Sequence, residues 1–232
     1  MRLRMIGFAI AGLLAWAAAP SHAAIVTFTG GTVTRLDTST ETTSNTVNWD
    51  NVDYYEEDGF RLDFLPNSAG GFSTNVGNYY GVGNDVIHSH WATGNFGLVT
   101  SIEITKVGGG TFDLNYFILT SNTDTGGSPA SGNERAYIQG FDSLNNPTGL
   151  PQLLPVEDWG FPATQIFLGA AFDAVERVVF TVENSVDCFG MDEFYIDEQA
   201  PGVVPEPASV AVWSLLGVVV GLGVYRRRGR NA

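Results

Sequence analysis

Cysteine and basic residues are the scarce residue types of this chain. Cys188 is the only cysteine among 232 residues, so no disulfide can form within the chain, and stability must come from a core and any bound ions. Lys and Arg number 11 against 25 Asp and Glu, a formal net charge of −14. Between residues 24 and 200 only Arg35, Arg61, Lys106, Arg135 and Arg177 oppose 24 acidic residues, a local balance of −19. No basic footprint remains to offset phosphate repulsion, which excludes nucleic acid as a partner. Divalent cations and neutral polysaccharides stay open, beside the plainer reading that the charge keeps an exported protein soluble. The same stretch also lacks a helical hydrophobic period, an internal repeat and an EF-hand calcium loop.

The lone thiol reads as a buried structural cysteine. Asp187 beside it would raise rather than lower the thiol pKa, and His88 and His90 are far away in sequence, so no nucleophile is predicted.

The two ends are rich where the middle is poor. Met1 to Ala23 carries Arg2 and Arg4, an apolar run from Ile6 to Ala19, Pro20, and small residues at Ser21 and Ala23. That order predicts a secretory signal peptide over residues 1–23, cut by signal peptidase between Ala23 and Ala24. Ala208 to Tyr225 is an uncharged run of 18 residues, about 27 Å long as a helix and close to the ~30 Å of bilayer hydrocarbon. Arg226, Arg227, Arg228 and Arg230 follow and predict a basic cytoplasmic stop over residues 226–232. The expectation is a single-pass helix at 208–225 with residues 24–207 exported.

Before that span lie the linker and tag, residues 201–207, ending in Val204-Pro205-Glu206-Pro207, whose two prolines fix φ and keep residues 205–207 extended and out of the helix that follows. Tag, span and arginine block together resemble the PEP-CTERM sorting signal of Gram-negative bacteria. The tail also goes under the label of an ice-binding protein C-terminal domain, a name from which no ice binding is inferred. The resemblance covers about 28 residues. It implies recognition by an exosortase, a membrane-embedded transpeptidase, with cleavage near the tag. The inner membrane would then be a stage in transit to the cell surface or extracellular matrix.

Residues 24–200 read as a β-sandwich. Phe60-Arg61-Leu62-Asp63-Phe64 alternates apolar and charged side chains, as a half-buried antiparallel strand does. Comparable strands fall at residues 25–29, 32–36, 100–107, 111–120, 135–141, 165–168, 175–182 and 194–197, separated by Gly, Asn, Ser, Thr and Pro. The prediction is an all-β, two-sheet antiparallel sandwich of jelly-roll type, flanked by the two terminal helices. The stretch from Asp53 to Asp58 reads as a solvated acidic loop. Gly59-Phe60, Gly110-Thr111-Phe112-Asp113-Leu114 and the run from Phe189 to Asp197 resemble, more distantly, sandwich ectodomains found with this tail. That resemblance implies a fold rather than an activity.

Four candidate sites follow. Asp192, Glu193 and Asp197 suggest paired carboxylates, but on an extended strand Glu193 and Asp197 stand about 13 Å apart, too far for a glycosidase pair. A structural calcium ion is conceivable where an early acid, Asp50 or Asp53, meets a late one, Asp192. His88 and His90 place two imidazoles on one side of an extended segment, a start for zinc or copper that carboxylates would have to complete; a polar edge or loop is the plainer reading. Tyr79, Tyr80 and Trp91, set among Asn and Asp, have the composition of a sugar-stacking platform, although aromatics in sandwiches usually fill the core. No other cofactor is implied. The expected function is a non-catalytic structural or adhesive ectodomain, with a lectin-like carbohydrate-binding module as the alternative and a polysaccharide-acting enzyme as the weakest reading.

Overall fold

The structure, a computed structural model, describes residues 23–94 and 97–202. The signal segment, the Val204 to Pro207 tag, the 208–225 span and the arginine block lie outside the described residues. Among those described, no helix is long and apolar enough to cross a membrane.

In chain order the strands are β1 (Ala24–Val26), β2 (Thr32–Arg35), β3 (Thr40–Thr42), β4 (Asn48–Asp50), β5 (Val52–Glu57), β6 (Phe60–Leu65), β7 (Thr74–Gly77) and β8 (Val86–His90). They continue as β9 (Ser101–Lys106), β10 (Leu114–Thr123), β11 (Ala136–Phe141), β12 (Gln152–Leu153), β13 (Thr164–Phe167), β14 (Arg177–Val182) and β15 (Cys188–Ile196). One sheet runs β13-β10-β15-β8-β7-β4, with β1 added beside the end of β15. The other runs β12-β11-β14-β9-β6-β5-β2-β3. Every ladder between named strands is antiparallel. The all-β, two-sheet arrangement is the one expected, and from β8 onward the chain crosses repeatedly between the sheets.

Alternation places one face of each sheet inward. On β6 Phe60, Leu62 and Phe64 are buried while Arg61 and Asp63 pair outside at 2.7 Å. Between the sheets Phe117 of β10 stacks on Phe194 of β15 at 5.4 Å and meets Phe180 of β14 edge-on at 5.4 Å. Phe180 also contacts Phe189 at 5.9 Å, and Phe28 meets Phe194 at the same separation. These rings form the centre of a core that needs no disulfide.

Two local readings are corrected. Asp53 to Asp58 is not a loop: residues through Glu57 belong to β5, with Tyr55 fully buried, and Asp58-Gly59 is the two-residue turn into β6. Both turn residues have positive φ, 48° and 81°, the backbone that an Asp-Gly hairpin supplies. The last strand starts at Cys188 rather than Phe194, and it bulges at Glu193, whose φ is 44°. The extra residue lies opposite Tyr116 to Ile118 and lets the outer face of β15 change phase along its length.

Candidate functional site

The outer face of the seven-stranded sheet is unusually covered. Ile87 and Trp91 point into the core, so period two turns His88 and His90 outward; Phe189 and Met191 likewise leave Cys188, Gly190 and Asp192 on the outside. Two connections fold over this patch. The one between β7 and β8 brings Tyr79 and Tyr80, and the one between β12 and β13 brings Trp159 and Phe161. The Tyr80 hydroxyl is within 2.9 Å of Thr120 Oγ1 and 3.2 Å of Ser121 Oγ, and burial raises its pKa. The Tyr79 ring stacks on His88 at 3.8 Å, and its hydroxyl lies 2.9 Å from His90 Nε2.

Trp159 meets Tyr80 edge-on at 4.7 Å, and Phe161 meets the same ring at 5.8 Å. With Pro162 they form one wall of an open cleft of about 360 Å³, whose other wall is Gly127, Ser128 and Pro129. Glu157 and Asp158 line it as well. Phe161 is 47% exposed, so the residue stays open to solvent at the cleft. Next along the chain from that wall, Glu134 is fully buried and accepts N–H bonds from Ser131 at 2.7 Å and Gly132 at 2.8 Å. Burial alone would raise its pKa, but those donors outweigh burial and leave the carboxyl below the usual range. Asp158 Oδ1 accepts the Ala130 N–H at 2.8 Å, tying the walls together. Burial, with Asp158 adding repulsion, raises the Glu157 carboxyl. The cleft therefore offers apolar ring faces beside acceptor oxygens, a combination suited to a small polar ligand with one apolar face.

No family model matches this chain, and no curated protein does. Among solved structures it is similar to a family 29 carbohydrate-binding module from Piromyces equi, over 80% of this chain and 98% of that one, at 9% identity and a TM-score of 0.38. The cleaved K1 adhesin domain of Lys-gingipain from Porphyromonas gingivalis aligns over 78% of this chain and all of its own, at 13% identity and a TM-score of 0.32. Likenesses of this grade carry no information about a ligand.

The predicted site residues are dispersed. Trp91 is fully buried against Phe189 at 5.7 Å and shows no face to a ligand. Tyr79 and Tyr80 form the back of the covered patch, their hydroxyls turned to the protein, rather than a flat platform. Asp50, Asp53 and Asp192 do not converge: Asp50 pairs with Arg35 at 2.6 Å, Asp53 lies on the other sheet near Asp63 and Arg61, and Asp192 sits on β15. Asp192 is nevertheless unusual, its carboxyl pushed up to about 8 by burial, with repulsion from Glu193, Asp85 and Glu57. Asp197 accepts the Asp113 N–H at 2.8 Å and lies 3.4 Å from Lys106 Nζ, a structural role.

His88 and His90 stand in the middle of a sheet rather than in a polar loop. His88 is fully buried and its pKa is driven well below the ordinary value by burial and then by His90. Cys188 is the cross-strand partner of His90 despite lying 98 residues away. Burial, then Asp187, pushes its thiol up to about 12, so it is no nucleophile at neutral pH. Trp159 and Phe161 were missed by sequence reasoning. The available signal was their setting, Asp158-Trp159-Gly160-Phe161-Pro162, in which turn-forming residues hold aromatics out of any strand.

Proposed function

We propose that this chain is an exported surface protein whose sandwich binds a neutral polysaccharide through the Trp159–Phe161 cleft, as an adhesive or matrix component and not as a catalyst. The observation that carries the reading is the cleft itself: an exposed Phe161 ring and Trp159 beside Glu157 and Asp158. A pyranose presents an apolar face to an aromatic ring and hydroxyl donors to carboxylate oxygens. The balance of −19 over residues 24–200 repels anionic chains and favours a neutral one. Export by a signal peptide, sorting through the Val204 to Pro207 tag by an exosortase and passage through the inner membrane complete the proposal, supported by the order of the sequence features at the two ends.

The test is binding of the full-length chain to a panel of neutral polysaccharides by affinity electrophoresis and calorimetry. Trp159→Ala and Phe161→Ala should each weaken binding about tenfold, some 1.4 kcal/mol. No binding to any neutral glycan, or binding indifferent to both substitutions, would refute the assignment.

A further inference from the structure

We infer that His90, Asp187 and Cys188 form a binding site for one zinc-class divalent ion on the outer face of the seven-stranded sheet, at the junction of β8 and β15. This site is separate from the saccharide reading and does not depend on it. The ladder sets Cys188 across from His90, and Asp187, the preceding residue, brings its carboxylate to the same point. His90 Nδ1 lies 3.5 Å from Cys188 Sγ and 3.5 Å from Asp187 Oδ1, and Sγ lies 4.0 Å from Asp187 Oδ2. Zinc bonds of about 2.3 Å to sulfur and about 2.0 to 2.2 Å to nitrogen and oxygen, spread tetrahedrally, separate ligand atoms by about 3.4 to 3.6 Å. The two distances from His90 Nδ1 match that figure; the 4.0 Å from Sγ is to the second carboxylate oxygen, and with one ligand atom taken from each residue all three lie within 4.8 Å of one another, so a turn of the Asp187 carboxylate closes the triangle.

Three further features point to a cation. Asp187 is 3% exposed, and its Oδ1 has no hydrogen-bond partner among the described residues, a costly state for a buried carboxylate. A divalent ion with one thiolate and one carboxylate would leave the buried cluster electrically neutral, and a bound cation itself displaces the thiol proton. The Tyr79 hydroxyl lies 2.9 Å from His90 Nε2, where it would accept the Nε2–H once Nδ1 holds the ion, the outer support that ligating histidines have. Main-chain bonds hold the segment in place: Asp187 N donates to Thr123 O and Trp91 N to Asp187 O, both at 2.9 Å. Sulfur with imidazole selects zinc over calcium or magnesium, and three protein ligands leave a fourth position for water. The His90 side chain, 13% exposed, marks the path of entry.

The test is a cobalt(II) titration of the full chain, purified in detergent and stripped by chelator, with excess calcium present to occupy surface carboxylates. One equivalent should bind, giving a thiolate-to-cobalt charge-transfer band and the strong visible bands of a four-coordinate ion, both displaced by zinc. Cys188→Ser should abolish the charge-transfer band, and Asp187→Asn should weaken binding at least tenfold. Tyr79→Phe keeps every ligand and should weaken it about 10- to 100-fold. A pale six-coordinate spectrum without the charge-transfer band, or a band that survives Cys188→Ser, overturns the site. Where Cys188→Ser does not fold, the other two variants decide, and affinities equal to that of the unsubstituted chain overturn it.

Discussion

The Tyr80 hydroxyl rests on the α-carbon of Gly190. A Cβ at residue 190 would collide with that hydroxyl and come within 2.6 Å of Thr120 Oγ1 and 2.9 Å of Ser121 Oγ. Gly190 is thus the seat on which the aromatic cover of the sheet is fastened. Gly190→Ala should cost about 1 to 3 kcal/mol, as overpacking does, and should loosen Trp159 through Tyr80. Urea unfolding followed by tryptophan fluorescence measures both; an unchanged midpoint would show that Tyr80 is not anchored there.

Asp192 makes stability depend on pH. Its carboxyl is pushed up to about 8 from the ordinary 3.8, first by burial and then by Glu193, Asp85 and Glu57. Between those values the folded chain holds a proton that the unfolded chain has released, so this contribution is complete below about pH 4 and is lost as pH rises toward 8. Each tenfold change in proton affinity corresponds to about 1.4 kcal/mol. Asp192→Asn should therefore melt above the unsubstituted chain at pH 8, and the two curves should converge as pH falls to about 4. Calorimetry across that range would expose a parallel pair of curves as a contradiction.

Phe180 joins the sheets by touching Phe117, Phe189 and Phe194. Phe180→Ala should cost about 3 to 5 kcal/mol, the usual loss for a buried aromatic. In a chain without a disulfide this would lower chemical-denaturation midpoints sharply, whereas a loss below 1 kcal/mol would mean that the core collapses around the gap.

The sorting proposal has its own measurement. Pro205→Ala with Pro207→Ala should leave an unprocessed chain in the inner membrane, readable as intact mass in membrane fractions. Identical mass and location in both forms would remove the tag from the mechanism.

How far the sequence reaches can be seen residue by residue. Alternation at Phe60 to Phe64 is read directly because one face of β6 is buried and the other solvated. The same logic failed on β5: its burial is not strictly alternating, and its acidic density masks the inward Tyr55. The Asp58-Gly59 dipeptide carried the missing information. Aromatic composition alone does not separate core rings from open ones: Trp91 continues β8 into the core while Trp159 sits between turn formers. The meeting of His90 with Cys188 has no local signature, because strand neighbours in a sandwich are set by sheet order and not by distance along the chain.

The place of β15 has a mechanical consequence. Along one side it is bonded to β10, and along the other to β8 and, at its far end, to β1. A chain tethered through residues beyond Ala200 would be pulled at the end of this strand, and a pull along its axis is the case that matters. Hydrogen bonds perpendicular to the pull are then loaded together, not broken one after another as in an unzipping edge. Under the sorting proposal, load from the tail would enter the sandwich through a strand bonded on both sides rather than through an edge.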